Sequence, residues 1–565
     1  MSSIVENSSA VQSGNARARS LALEKVRSLG ATATSPVDYH SAGRLLILGD
    51  ASRAVPLAKR LRESLQCTYL NSHEPEAEGV IVHGDADGIR VVVADLTGLD
   101  GYLGAFTATV REREQEANLA QLLGAGDEYF DLVLDLGMPP RIDREILPPG
   151  YFAPGEDEAA VTRAVEDLPG LIGEFEKPKY FQYNPDICAH GASGMEACSR
   201  CLDACPTEAI ASVGDRVAVD PYLCQGSGSC ATVCPSGAMS FTYPAVRDLL
   251  EKVRAVSRHF HEAGGRDPVI MFHDPTTARS LPDDVGRVPG HIIPIEVEEI
   301  GAVGIDAWLA SLAYGFCQVL LLVPPAIPPR IRHALQEQML YAGAVLEGIG
   351  YSANRIRLVE SPVDKDLLAQ LQSLTPEPGI QPASFAPMDE KRTILRLAID
   401  HLYRHAPAPV SVAPVPAGAS FGEILVDQDA CTLCMACVGV CPTMALSDGH
   451  DVPQLRFDEW NCVQCGLCES ACPEEAITRN PRFIYDPELR RRTRVLNEDE
   501  PFFCVSCGKP FATRSVMDKM AKKLKDHYMF QTLEAKRRMR MCEDCRVRDL
   551  FRKEAGGAGP KLGAH

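Results

Sequence analysis

At 565 residues the chain is too long for one hydrophobic core, and roughly three to five domains are expected. Its hydrophobic content is ordinary at 45%, and no apolar stretch is long enough to cross a bilayer as a helix. The formal net charge of −19 argues against nucleic acid as a partner, and no basic segment followed by an apolar run opens the chain, so a cytoplasmic location is expected.

Residues 1–42 begin rich in Ser, Ala and Gly and read as a flexible N-terminal arm or a lone helix. An α/β domain is expected over 43–177, most clearly within 43–150. Its strands are 44–50, 89–95 and 130–136, with a helix near 55–65. The turn Gly49-Asp50-Ala51-Ser52 lacks G-x-G-x-x-G, so it carries no dinucleotide fingerprint. A first cysteine block fills 178–245. A second α/β domain over 246–404 follows, with strands 268–272, 291–297 and 319–323 and helices 331–347 and 388–404. The proline-rich stretch 405–420 reads as a stiff linker. Beyond it lie a second cysteine block over 421–485 and a C-terminal segment over 486–565.

The 21 cysteines carry the chemistry, because most sit at short ligand spacings rather than in a scattered disulfide framework. The late block reads C-x2-C-x2-C-x3-C-P twice, through Cys431, Cys434, Cys437 and Cys441, then Cys462, Cys465, Cys468 and Cys472. A tight loop with three soft anionic ligands suits a cubane iron–sulfur cluster, and the cysteine before proline ligates the other cluster of the pair. The sets are therefore Cys431, Cys434, Cys437 and Cys472 for one cluster, and Cys462, Cys465, Cys468 and Cys441 for the other. Two such triplets, each followed by x3-C-P, have no ordinary tetrahedral zinc counterpart.

The early block is a distorted copy. Nine residues, Ala189 to Ala197, separate Cys188 from Cys198, where two are usual. Cys198, Cys201 and Cys205-Pro206 are then normally spaced. The same rule assigns Cys188, Cys198, Cys201 and Cys234 to one cluster, while His190 shapes the loop. The other takes Cys205, Cys224 and Cys230, with Ser227 standing where a fourth cysteine belongs. That centre is open between a [3Fe-4S] cluster and a [4Fe-4S] cluster completed by Ser227, solvent or a distant ligand. The expected complement is thus three [4Fe-4S] clusters and this fourth one. Cys504, Cys507, Cys542 and Cys545 form two C-x2-C knuckles suited to tetrahedral zinc, with rubredoxin-like iron as the alternative. Cys67 and Cys317 read as small buried hydrophobes. Arg537, Arg538, Arg540, Arg546, Arg548, Arg552 and Lys553 form a basic C-terminal face, read as a solvated helix surface ahead of a docking face.

Residues 421–480 resemble bacterial two-cluster ferredoxins. Residues 268–361 resemble the delta subunit of the non-F420-reducing hydrogenase in Pro268-Val269-Ile270-Met271-Phe272, Ile292-Ile293-Pro294-Ile295, Gly315-Phe316-Cys317-Gln318-Val319-Leu320-Leu321-Leu322 and Gly350-Tyr351-Ser352-Ala353-Asn354-Arg355-Ile356. Family members carry several cysteines there and a two-iron cluster, whereas this window holds Cys317 alone, so the resemblance implies the fold without that cluster. Gly101-Tyr102-Leu103-Gly104-Ala105-Phe106 is similar to a G-x-x-G-x-F segment of heterodisulfide reductase A-type proteins. These resemblances imply an α/β plus α+β multidomain protein with two ferredoxin-like modules, two α/β domains and a zinc-ribbon-like C-terminal segment. They also imply a polyferredoxin subunit serving formate dehydrogenase, hydrogenase or heterodisulfide-reductase-like partners. An oxidoreductase acting at an open iron beside Ser227, or through a bound flavin, is the alternative, and a cluster-bearing assembly factor is a third class.

Overall fold

The computed structural model describes residues 2–72, 80–86, 88–124, 128–281, 287–360, 367–450 and 452–555, with side chains from residue 13 to residue 551 apart from those of 83–86. The chain divides into two compact units: residues 1–185 with 199–407, and residues 186–198 with 408–565. The fold is mixed α/β and multidomain. Among the described residues, no helix is long and apolar enough to cross a membrane.

In the first unit, the apolar run in the strand Arg44–Leu48 reads as a strand buried on both faces. Leu45 and Ile47 enter one hydrophobic cluster while Leu46 and Leu48 enter another, so both faces are covered. This strand is central to a sheet ordered Tyr151–Phe152, Leu132–Asp135, Arg44–Leu48, Gln66–Asn71, Ile89–Val93, Ile81–Ala86, in which only the last strand is antiparallel. The helix expected from residue 55 starts earlier, at Ala51, because the Asp50 side chain accepts from the Ser52 N–H and caps it. The segment expected as a flexible arm or a lone helix begins as a helix and is tied down: helix Ser2–Val26 packs against helix Val246–Glu262, and strand Pro36–Ser41 pairs antiparallel with Gly173–Pro178. Arg19, buried in that helix, donates to the carbonyls of Val288, Pro289 and Ile292. A guanidinium spanning three carbonyls fixes what composition alone would leave loose.

The second sheet of this unit is parallel throughout, ordered Ile292–Glu296, Val269–His273, Gln318–Val323, Ile356–Glu360. Helix Ile305–Ala313 is buried all round and packs against helix Lys391–Arg404, which explains its uniformly apolar sequence. This domain presses on the loop that carries Ser227. Thr232 Oγ1 donates to the Gly301 carbonyl at 2.7 Å, and a Cβ at Gly301 would overlap the Ser227 carbonyl. On the same contact, Gly228 has φ 71°, and a Cβ there would overlap Ala302. Gly228→Ala is therefore expected to cost about 2–4 kcal/mol from left-handed strain and overpacking together. A chemical-denaturation midpoint unchanged from the parent would refute that contact.

The second unit pairs strand Ile477–Ile484 antiparallel with both Gly422–Val426 and Val412–Pro414. Part of the expected linker is therefore a strand, since Val412–Pro414 finds an edge to pair with. Strand Val452–Phe457 lies between Leu446–Gly449 and Arg494–Glu498. Glu423 and Glu459, both nearly buried, are each paired with Arg482 and Arg494 at 2.6–2.8 Å. With four partners in a closed set, no charge is left uncompensated, which is the condition for tolerating it inside.

The early cysteine block, expected as one module, is divided between the units. The nine-residue insert forms a hairpin, Gly191–Ala192 with Met195–Glu196, and packs against helix Leu467–Ser470 of the second unit. Cys188 and Cys198 therefore belong to the second unit, and Cys201, Cys205, Cys224, Cys230 and Cys234 to the first.

Candidate metal centres

Each intact cysteine loop alternates ordinary and left-handed backbone. Leu433 (φ 53°) and Met435 (φ 63°) flank Cys434, and Gln464 (φ 55°) and Gly466 (φ 91°) flank Cys465. Such alternation turns successive N–H groups toward one concave side, as an anionic group requires. Gly226 (φ 78°) and Gly228 (φ 71°) flank Ser227 in the same way. The loop geometry of a cluster site is thus kept while one thiol is replaced by a hydroxyl. Short helices leave from all three loops, at Ala436–Gly439, Leu467–Ser470 and Ser229–Val233, each entered through the left-handed residue.

In the second unit the thiols gather in two groups. Burial pushes Cys437 up to about 12, and the charges of Cys431, Cys434 and Cys472 add to it. Burial likewise raises Cys468, with Cys462, Cys465, Cys441 and, least, Cys437 adding. In both, the cysteine before proline approaches the triplet of the other run. Cys465 rises to about 11 through burial, with Cys462, Cys441 and Cys198 adding. Thiols that repel one another this strongly as anions suit a cationic iron core that takes up their charge. Amide donors are in place: the Ala476 N–H reaches Cys472 Sγ and the Gln464 side chain reaches Cys462 Sγ, both at 3.3 Å. His190, only 3% exposed, places Nδ1 at 2.8 Å from the Cys198 carbonyl and Nε2 at 4.0 Å from Glu196, holding the hairpin's base.

In the first unit, burial holds Cys230 well above its ordinary value, with Cys224, Cys205 and Cys201 adding. Cys224 is raised by burial too, with Cys205 adding. Cys205 thus sits with the run it does not belong to. Ser227 Oγ lies 3.5 Å from Ser229 Oγ, which donates to the Ala204 carbonyl at 2.6 Å. The Met239 N–H donates to Cys234 Sγ at 3.3 Å.

Two family models match the chain, each described as a 4Fe-4S dicluster domain, over residues 195–238 and residues 430–477. The chain carries two 4Fe-4S dicluster domains. The early match begins beyond Cys188, inside the insert, while the late match takes in all of Cys431 through Cys472. No curated protein matches the chain.

Spacing alone did not reveal the basic groups around the early dicluster domain. Lys177 Nζ donates to the carbonyls of Cys224 (2.7 Å) and Tyr222 (2.9 Å). Burial lowers Lys177 to about 8, against the pull of Cys224 and Asp220, so it stays mostly protonated at neutral pH. Arg330 Nη1 donates to the Cys205 carbonyl at 2.7 Å, and Lys391 Nζ to that of Cys234 at 3.0 Å. Lone basic residues scattered over two hundred positions leave no local pattern to read.

The C-terminal knuckles also converge. The thiols of Cys504, Cys507, Cys542 and Cys545 lie within 4.8 Å of one another, and Cys507 Sγ is 3.7 Å from Cys542 Sγ. A tetrahedral zinc with ordinary Zn–S bonds needs about 3.8 Å between sulfurs, so the donor set fits. Cys504 and Cys507 stand at the end of the hairpin Pro501–Phe503 with Pro510–Thr513. The Ser506 N–H points at Cys504 Sγ (3.4 Å), while the Gly508 N–H bonds the Cys504 carbonyl. Cys542 and Cys545 enter from the start of helix Glu543–Ala555. Of the basic face, Arg538 pairs with Asp549 and Arg546 reaches the Met541 carbonyl, whereas the side chains of Arg552 and Lys553 lie outside the described ones. Cys67 and Cys317 are buried, as their apolar surroundings imply.

Proposed function

We propose that the chain is an electron-transfer subunit that relays single electrons between partner oxidoreductases of the formate dehydrogenase, hydrogenase or heterodisulfide-reductase-like kind, in the cytoplasm. The observation that carries this reading is the pair of 4Fe-4S dicluster matches over residues 195–238 and 430–477; the electrostatic influence of Cys441 on Cys468, and of Cys205 on Cys230, supports an exchange of cysteines between runs. We assign two complete late sets, Cys431/Cys434/Cys437/Cys472 and Cys462/Cys465/Cys468/Cys441. The early sets are Cys188/Cys198/Cys201/Cys234 and the three-thiol set Cys205/Cys224/Cys230, which we assign to a [3Fe-4S] cluster. Bound iron–sulfur clusters supply reversible one-electron storage. The chain's own residues hold them in loops whose N–H groups offset negative charge.

Zinc at Cys504, Cys507, Cys542 and Cys545 is assigned a structural role. The 268–361 segment is assigned as a delta-subunit-like scaffold without its own cluster. The sequence supports this, since Cys317 is the single cysteine of the segment and one thiol does not make a two-iron ligand set.

The anaerobically reconstituted full chain is expected to hold about 15 irons, the sum of three four-iron clusters and one three-iron cluster. Cys441→Ser is expected to remove the cluster of the Cys462 run, about four irons, while leaving the reducible signal of its own run. Loss of the Cys431-run cluster instead would overturn the ligand exchange. A flavin in the visible spectrum would overturn the relay reading in favour of an enzyme.

A further inference from the structure

The three basic side chains around the early cysteines differ in what balances them. Arg330 is paired with Glu208 at 2.9 Å and lies 3.7 Å from Glu145, so its charge is answered locally. Lys391 also donates to the carbonyls of Ala231 and Thr232, at the end of helix Ser229–Val233, where unpaired carbonyls gather. Lys177 has no carboxylate within ion-pair distance among the described residues; Asp220 acts on it from further away. Its ammonium instead lies 4.9 Å from the centre of the Tyr39 ring. The Tyr39 hydroxyl donates to the same Tyr222 carbonyl at 2.7 Å, and the Tyr102 ring, from the G-x-x-G-x-F segment, stacks on Tyr222 at 4.5 Å. Rings and carbonyls therefore hold a positive charge directly behind Cys224, with no carboxylate in ion-pair contact among the described residues.

We propose that Lys177 sets the reduction potential of the centre at Cys205, Cys224 and Cys230, holding it more positive than the buried thiols alone would. This rests on the reading that those cysteines hold a cluster. Adding one electron puts a full negative charge into a partly dry site, which burial opposes. A fixed cation a few ångströms from a ligand stabilises the reduced form and is weakly screened there. Net charge and hydrogen bonding around the sulfurs are the recognised levers on such potentials. Lys177 is thus a positioning residue for electron transfer: it comes from the strand Gly173–Pro178, outside the cysteine grammar, and reaches the site through the Cys224 main chain.

The test is an EPR-monitored redox titration of the reconstituted full chain bearing Lys177→Gln, Lys177→Met or Lys177→Arg. At the parent midpoint, the neutral variants are expected to lower the reduced-to-oxidised ratio of this centre about tenfold, or about 59 mV for a one-electron couple. Lys177→Arg is expected to stay near the parent, and the late-pair signals are expected not to move in any variant. Using two neutral side chains guards against one of them failing to load iron. Unchanged potentials in both, or equal shifts in the neutral and arginine variants, would overturn the proposal. Absence of iron from the parent protein would sink the cluster reading itself, and shows up before any variant is titrated.

Discussion

Ser227→Cys is expected to add one iron per chain and to erase the near-isotropic EPR signal that an oxidised three-iron centre gives in the parent protein. The physical case is local. Ser227 occupies the position of Cys434 and Cys465 in a loop with the same alternation of left-handed residues, so the new thiol needs no change of backbone. The surrounding contacts already hold that loop: Thr232 is bonded to Gly301, and the Ser227 carbonyl faces Gly301 closely enough to exclude a Cβ. A cysteine differs from serine by one heavier atom, and sulfur is the softer donor that iron in these clusters prefers over a neutral hydroxyl. The remaining ligands, Cys205, Cys224 and Cys230, stay as they are. Iron content and EPR both identical to the parent's would mean that this centre is complete without a fourth thiol, and the three-iron assignment would fall.

The other large effect is expected at the C-terminus. Among the described residues, the hydrophobic cluster there consists of Cys504, Met541, Cys542 and Cys545 with Phe511 against it. Between the knuckles Met517 is buried, but Tyr528 is 80% exposed and Leu533 87% exposed, so these residues add little to that cluster. Structural zinc in small domains supplies about 10–16 kcal/mol of folding free energy, far more than such a cluster provides. One zinc per chain is therefore expected. Cys542→Ser, or a chelator that spares the iron, is expected to open residues 500–555 to limited proteolysis within minutes, with iron content unchanged. A digestion pattern that ignores metal removal would show that the segment folds without it. Iron at this site, visible as a rubredoxin-like red colour, would correct the metal and leave the folding role to be read from the same digestion.

The strands of both α/β domains were legible because an apolar run such as Leu45 to Leu48 or Val319 to Val323 needs cover on both faces. Helix 388–404 was legible for a similar reason, as its apolar spacing marks one buried face. The N-terminal helix was legible as one of two readings, but its anchoring was not, because composition does not disclose Arg19, whose three carbonyl partners lie some 270 positions away. The early block was legible as a dicluster domain, but its nine-residue insert carries no local sign of the helix it packs on.

The sequence by itself determined where the thiols stand: in the late block their spacing is short, the backbone between them has few conformations, and a cluster loop is a local object. It also determined that Ser227 breaks the pattern. Only the tertiary structure decided what surrounds that break, because Lys177, Tyr39 and Gly301 come from segments far apart in the chain. Electrostatics and close packing act through space, and spacing along the chain does not encode them.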